Sequence, residues 1–136
     1  MFLQVKNSRP DALNGSGFRG AMRILKLVMK KVHFDEVLSG NKKKEVREIR
    51  PQNSGRYCVN KPNGEFEKIR DYDAIEMFVG YHKDRASLLI ETTGAEIFVL
   101  KDKITGKDLT YTEKGVEYVE AQIHYKLGKI LKTHNC

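Results

Sequence analysis

Only one stretch of this chain carries a helical stripe. Elsewhere its apolar residues arrive in short branched or aromatic runs cut apart by Gly, Pro and Asn. Phe34, Val37 and Leu38 fall at i, i+3 and i+4 within residues 31–40, a spacing that puts them on one face of a helix. Residues 23–29, 73–79, 86–92 and 95–100 are instead six- or seven-residue runs rich in Ile, Leu, Val and Met, the composition of half-buried or buried strands. Residues 116–131 read as one long strand or two short ones, residues 56–59 as a further short strand, and residues 102–115 as a polar insertion. Many short strands with one clear helix predict an α+β domain built on a small β-barrel.

The helix is expected to end at Gly40, which takes the left-handed backbone at the residue after a helix cap more easily than any other type. Asp35 and Glu36 read as complements to its positive end, and Lys42 to Lys44 as complements to its negative end. Ile24, Leu27, Val79, Leu89, Ile97 and Ile130 are expected in the core. Residues 1–21 show neither period and contain Pro10, Gly15, Gly17 and Gly20. They read as an unstructured leader or an added extension, leaving 22–136 as the domain.

The chain is basic, with 25 Lys and Arg against 18 Asp and Glu and a net charge of +7. Setting aside the leader's three cations and one Asp leaves +5 on the domain. Such an excess suits polyanionic partners. No run approaches the roughly 20 apolar residues of a spanning helix. Two cysteines, Cys58 and Cys136, cannot make a disulfide scaffold and do not have zinc-ligand spacing. The expected setting is reduced and cytoplasmic, with no membrane, metal or cofactor. Cys58 lacks a base partner in sequence and reads as a structural thiol.

Residues 43–49 alternate, but neither face of the resulting strand is apolar, so it must run at a sheet edge or line a polar cavity. Just before it lies Gly40-Asn41-Lys42-Lys43-Lys44-Glu45-Val46-Arg47, a G-x-K-x-x-E-x-R pattern. Lys42 is a mobile point charge suited to phosphate or a carbonyl oxygen. Glu45 and Arg47, two apart on a strand, project from one face and can pair or bind a polar ligand. Lys43 reads as a rim charge attracting phosphate. The loop Gly80-Tyr81-His82-Lys83-Asp84-Arg85 mixes rings and cations, which suits stacking a base and gripping its backbone through Tyr81, Lys83 and Arg85. The plainer reading packs Tyr81 over the barrel end.

The helix, Gly40, Lys42, Glu45 and Arg47 together resemble the signature of ASCH domains, members of the PUA-like superfamily. The 80–85 loop and the closing strand His124-Tyr125-Lys126-Leu127-Gly128-Lys129-Ile130-Leu131 are similar to small stand-alone members, so the resemblance spans roughly residues 22 to 131. It implies a PUA-like barrel of about six strands, one main helix after the first strand, and a cleft where Lys42, Glu45 and Arg47 gather. It also implies binding of RNA or another nucleic acid, or of a nucleoside-sized ligand. Some small members are amidases that deacylate modified cytidine with a Lys, a Thr and a Glu. Lys42 occupies the lysine position, but Glu45 stands where those enzymes have the nucleophilic Thr. The expected function is therefore a nucleic-acid-binding module. The alternative is an amidohydrolase acting on an N4-acylated cytidine or related nucleoside, with Lys42 and Glu45 as its reacting groups.

Overall fold

The computed structural model describes the backbone of residues 2–8 and the whole of residues 22–136. The chain is mostly β. Its elements run β1 (Phe2–Ser8), β2 (Ile24–Met29), α1 (Lys31–Leu38), β3 (Lys44–Ile49), α2 (Ser54–Tyr57), β4 (Cys58–Asn60), β5 (Phe66–Ile69), β6 (Ala74–Val79), β7 (Ser87–Leu100), β8 (Thr110–Glu113), β9 (Val116–Val119) and β10 (Ala121–His134). The main sheet follows the order β2-β6-β7-β10-β3, with β1 on β7; β4-β5 and β8-β9 form two-stranded sheets. β3 ends that order, in line with the edge position its two polar faces require.

Among the described residues the chain divides into two compact units, one of 2–8, 46–70 and 95–124, the other of 22–45, 71–94 and 125–136. In the second unit β2 lies parallel to β6, Ile24 opposite Ala74, and β6 runs antiparallel to β7. Leu25, Leu27, Met29, Ile75, Met77, Leu88, Ile90 and Tyr125 are buried there, together with Phe34 and Val37 from α1. In the first unit Tyr57, Cys58, Ile69, Ala95, Ile97 and Ile123 are buried.

Several expectations change. Leu27 and Ile97 are core, but Ile24 is exposed and Leu25 takes its place. Lys26 shares a strand face with Ile24, while Leu25 shares the other with Leu27 and Met29, so the alternation turns Leu25 inward and Ile24 outward. Val79, Leu89 and Ile130 are half-buried. Residues 86–92 and 95–100 fall in one fourteen-residue strand, Ser87–Leu100, rather than two; the buried Thr92 hydroxyl shares its one proton between Lys126 O at 3.0 Å and Gly94 O at 3.3 Å. The predicted strand at 56–59 begins at Cys58, preceded by the short α2. The polar insertion contains the β8–β9 hairpin, turned by Lys114 and Gly115, both at positive φ. Among the described residues ten strands form, six of them in the main sheet, and the two small sheets supply the other four.

Phe2–Ser8, read as leader, is a strand paired with β7, while the rest of the leader, residues 1 and 9–21, lies outside the described residues. In α1 the acidic residues miss the first turn and no cation occupies the last. Asp35 instead pairs with Lys31 at 2.9 Å, and Glu36 lies 3.4 Å from His33 Nδ1. Among the described residues no helix is long and apolar enough to cross a membrane.

Candidate functional site

The G-x-K-x-x-E-x-R segment begins with the end of α1. Gly40 N donates to Val37 O at 3.0 Å and Asn41 N to Glu36 O at 3.1 Å, the paired bonds of a Schellman closure. Gly40 sits at φ +83°, which this closure requires and which only glycine adopts without strain. Lys42 N donates to Glu36 O as well, at 3.1 Å. The turn therefore holds the backbone of Lys42 and sends the chain into β3; just before that strand, Lys43 O accepts from Leu127 N on β10 at 3.0 Å.

From that anchored turn the Lys42 ammonium reaches back to Glu45 Oε1 at 2.9 Å. The Glu45 side chain is 4% exposed and that of Lys42 25%, so this is an ion pair withdrawn from water. A carboxylate at such a depth needs a cation or several donors beside it. The contact with Glu45 is one of charge, and an ammonium has three N–H groups, so Lys42 keeps donor capacity for a carbonyl or phosphate oxygen. Arg47 is half-buried on the same side of β3, two residues on, and belongs to the other compact unit. Lys43 is exposed.

The second cluster lies in the same unit as Lys42. Arg85 lays its guanidinium 4.0 Å from the centre of the Phe78 ring and donates to Gly80 O at 3.1 Å. Those two contacts close the 80–85 loop on itself, with Gly80 at φ +67°. Tyr81 does not pack over anything apolar; it is 85% exposed. Lys83 and Arg85 line a hollow of about 520 Å³ together with Lys132 and His134 from the end of β10 and with Glu76. Three cations and a histidine face a single carboxylate there. Lys132 and His134 were not singled out from sequence; they lie almost 50 positions from Arg85, and only strand pairing brings such segments together.

The structure thus joins Lys42 to Glu45, and Lys83 to Arg85. Neither Lys42, Glu45 nor Arg47 lines this hollow or the one in the first unit. Cys58 is buried, and burial pushes its thiol above the ordinary value, with the Arg70 charge a smaller opposing influence. Such a thiol is a poor nucleophile. Among the described residues no group of three or more His, Cys, Asp or Glu side chains is placed to hold a metal ion. No family model, curated protein or solved structure matches this chain.

Proposed function

We propose that this chain is a nucleic-acid-binding module of ASCH type, with a PUA-like β-barrel as its fold and RNA or another single-stranded nucleic acid as its partner in the cytoplasm. The observation that supports it best is the hollow lined by Lys83, Arg85, Lys132 and His134, with the exposed Tyr81 on the same loop. Cations from two separate stretches converging on one concavity suit a run of phosphates, and a free ring beside them suits an unstacked base. Lys42 and Lys43, in the same unit, extend the donor set, and Glu45 supplies an acceptor for a base edge.

Fluorescence anisotropy with a labelled single-stranded RNA is the test. If three or four phosphates shed counterions, affinity falls roughly 20- to 50-fold between 50 and 200 mM salt, at a slope of about −0.7 per phosphate. Lys83→Ala and Lys132→Ala should each flatten that slope by about 0.7. Tyr81→Ala should weaken binding without changing it. Absence of binding at 50 mM salt, or binding indifferent to salt, refutes the proposal.

A second reading makes the chain an amidohydrolase of N4-acylated cytidine, favoured by the withdrawn Lys42–Glu45 pair. Lys42 would polarise the amide carbonyl and Glu45 would activate water. Chromatography of N4-acetylcytidine incubated with the protein decides it: turnover lost in Lys42→Ala supports the enzyme, and an unchanged substrate removes it.

A further inference from the structure

The first unit contains a second concavity, of about 350 Å³, that the proposed nucleic-acid site does not use. That size falls within the range of small-molecule sites, which are mostly apolar with a few placed polar groups. One wall comes from the β8–β9 hairpin. Tyr111 and Tyr118 are direct cross-strand partners, so both rings stand on one face of the hairpin. Their centroids lie 5.7 Å apart at 27°.

The Tyr111 ring is held from behind the sequence as well as across the hairpin. The Arg50 guanidinium sits 4.2 Å from its centre. Arg50 in turn is fixed by Glu48, whose Oε2 accepts from Nη2 at 3.1 Å and Nε at 3.3 Å. Its backbone N–H donates to Asn53 Oδ1 at 2.8 Å. The aromatic wall is therefore preorganised, which spares a ligand the entropy of ordering it.

Phe66, 42% exposed, lines the same hollow. Two polar side chains, Ser54 and Asn60, also line it, and neither side chain makes a hydrogen bond among the described residues. An amide with its donor and acceptor both unspent matches a ring edge that carries an acceptor next to a donor, since the two bonds can then form side by side. The serine hydroxyl adds one group of either kind. A flat ring satisfies the apolar wall with its faces and the amide with its edge. A charged group is not called for, because the one cation at the wall, Arg50, is already matched by Glu48.

We infer that the concavity lined by Tyr111, Tyr118, Phe66, Ser54 and Asn60 is a binding site for a small neutral heteroaromatic molecule with adjacent donor and acceptor groups on its edge, of purine size. It lies wholly within the first unit, whereas the basic hollow lies within the second. The two sites therefore stand or fall separately, and they differ in salt response: a neutral ring releases no counterions.

Adenine is the probe, with indole as a flat ligand lacking the edge pair. The chain has 6 Tyr and no Trp, so quenching of tyrosine emission reports a ring against Tyr111 and Tyr118, and calorimetry gives the Kd. Adenine should bind saturably and equally at 50 and 200 mM salt, and at least tenfold tighter than indole. Asn60→Leu should weaken adenine about tenfold and leave indole unchanged, a difference that general damage to the unit would not produce. Tyr118→Leu should weaken both ligands, with far-ultraviolet circular dichroism unchanged. No saturable binding of adenine, binding of indole as tight as adenine, or full adenine affinity in Asn60→Leu each overturns the inference.

Discussion

Replacing Lys42 by Met removes a charge while keeping most of the side chain's bulk, and the consequence can be worked from the geometry. At 2.9 Å and an effective dielectric of about 20, the attraction to Glu45 is roughly 6 kcal/mol. Desolvation of both ions and the roughly 2 kcal/mol of lysine rotamer entropy offset much of it. Removing the cation, however, takes this ion pair away from a carboxylate at 3% exposure. Breaking a withdrawn pair on one side costs about 3–5 kcal/mol. The lower end applies, since the lysine is a quarter exposed and water reaches its ammonium. Lys42→Met should therefore lose about 3 kcal/mol in urea denaturation followed by circular dichroism, whereas an exposed pair would lose less than about 1. Lys42→Met/Glu45→Gln should recover part of the loss, with a coupling of at least about 1.5 kcal/mol in the double-mutant cycle. A loss below about 0.5 kcal/mol, or strict additivity, would show that the pair is a solvated contact and that Glu45 is held by other means.

Other expectations are independent of that pair. Thiol labelling of native protein at pH 8 should modify Cys136, which is exposed, far faster than Cys58, which is buried with its thiol pushed up by desolvation; equal rates would contradict the burial. Because Cys58 holds its proton longer when folded, the unfolded chain loses that proton first, and stability should fall as pH rises past the ordinary thiol value of 9.0; denaturation midpoints of wild type and Cys58→Ala should diverge there. Asp102 accepts N–H bonds from Ile104 at 2.8 Å and Thr105 at 2.9 Å, which hold its carboxyl below the ordinary range. Amide signals of residues 104 and 105 should stay constant down through ordinary carboxylate titration and move only at lower pH, and movement near pH 4 would refute the turn. Gly128→Ala places a methyl against Glu91, whose Cδ and Cβ would lie 3.2 and 3.3 Å away; a cost of about 1–2 kcal/mol is expected, with most of it relieved in the Glu91→Ala background.

The elements that sequence reading recovered were those governed by local rules. Gly40 stops α1, Phe34 and Val37 face inward, and the polar segment 43–49 sits at the end of the sheet order. Misreadings arose where a distant segment decided. Thr92 and Gly94 look like a turn, but a carbonyl of Lys126, more than thirty residues on, holds Thr92 inside a strand. Thr110-Tyr111-Thr112-Glu113-Lys114-Gly115-Val116-Glu117-Tyr118-Val119 looks polar by composition, yet its alternation around Lys-Gly was a hairpin signal that charge content obscured. Of the site, Lys42 and Glu45 were legible because three residues and one turn connect them. The basic hollow was half legible: Lys83 and Arg85 share a loop, but Lys132 and His134 join them only through folding.

The second unit is stitched from 22–45, 71–94 and 125–136, and this ordering has a consequence during synthesis. Its final twelve residues supply Tyr125, whose large side chain is buried, and the Leu127 N–H that binds Lys43 O. A ribosome must therefore deliver β10 before that unit can close. Until then the apolar faces of β2, β6 and α1 wait uncovered, so closure of this unit follows synthesis of its last strand rather than keeping pace with its first.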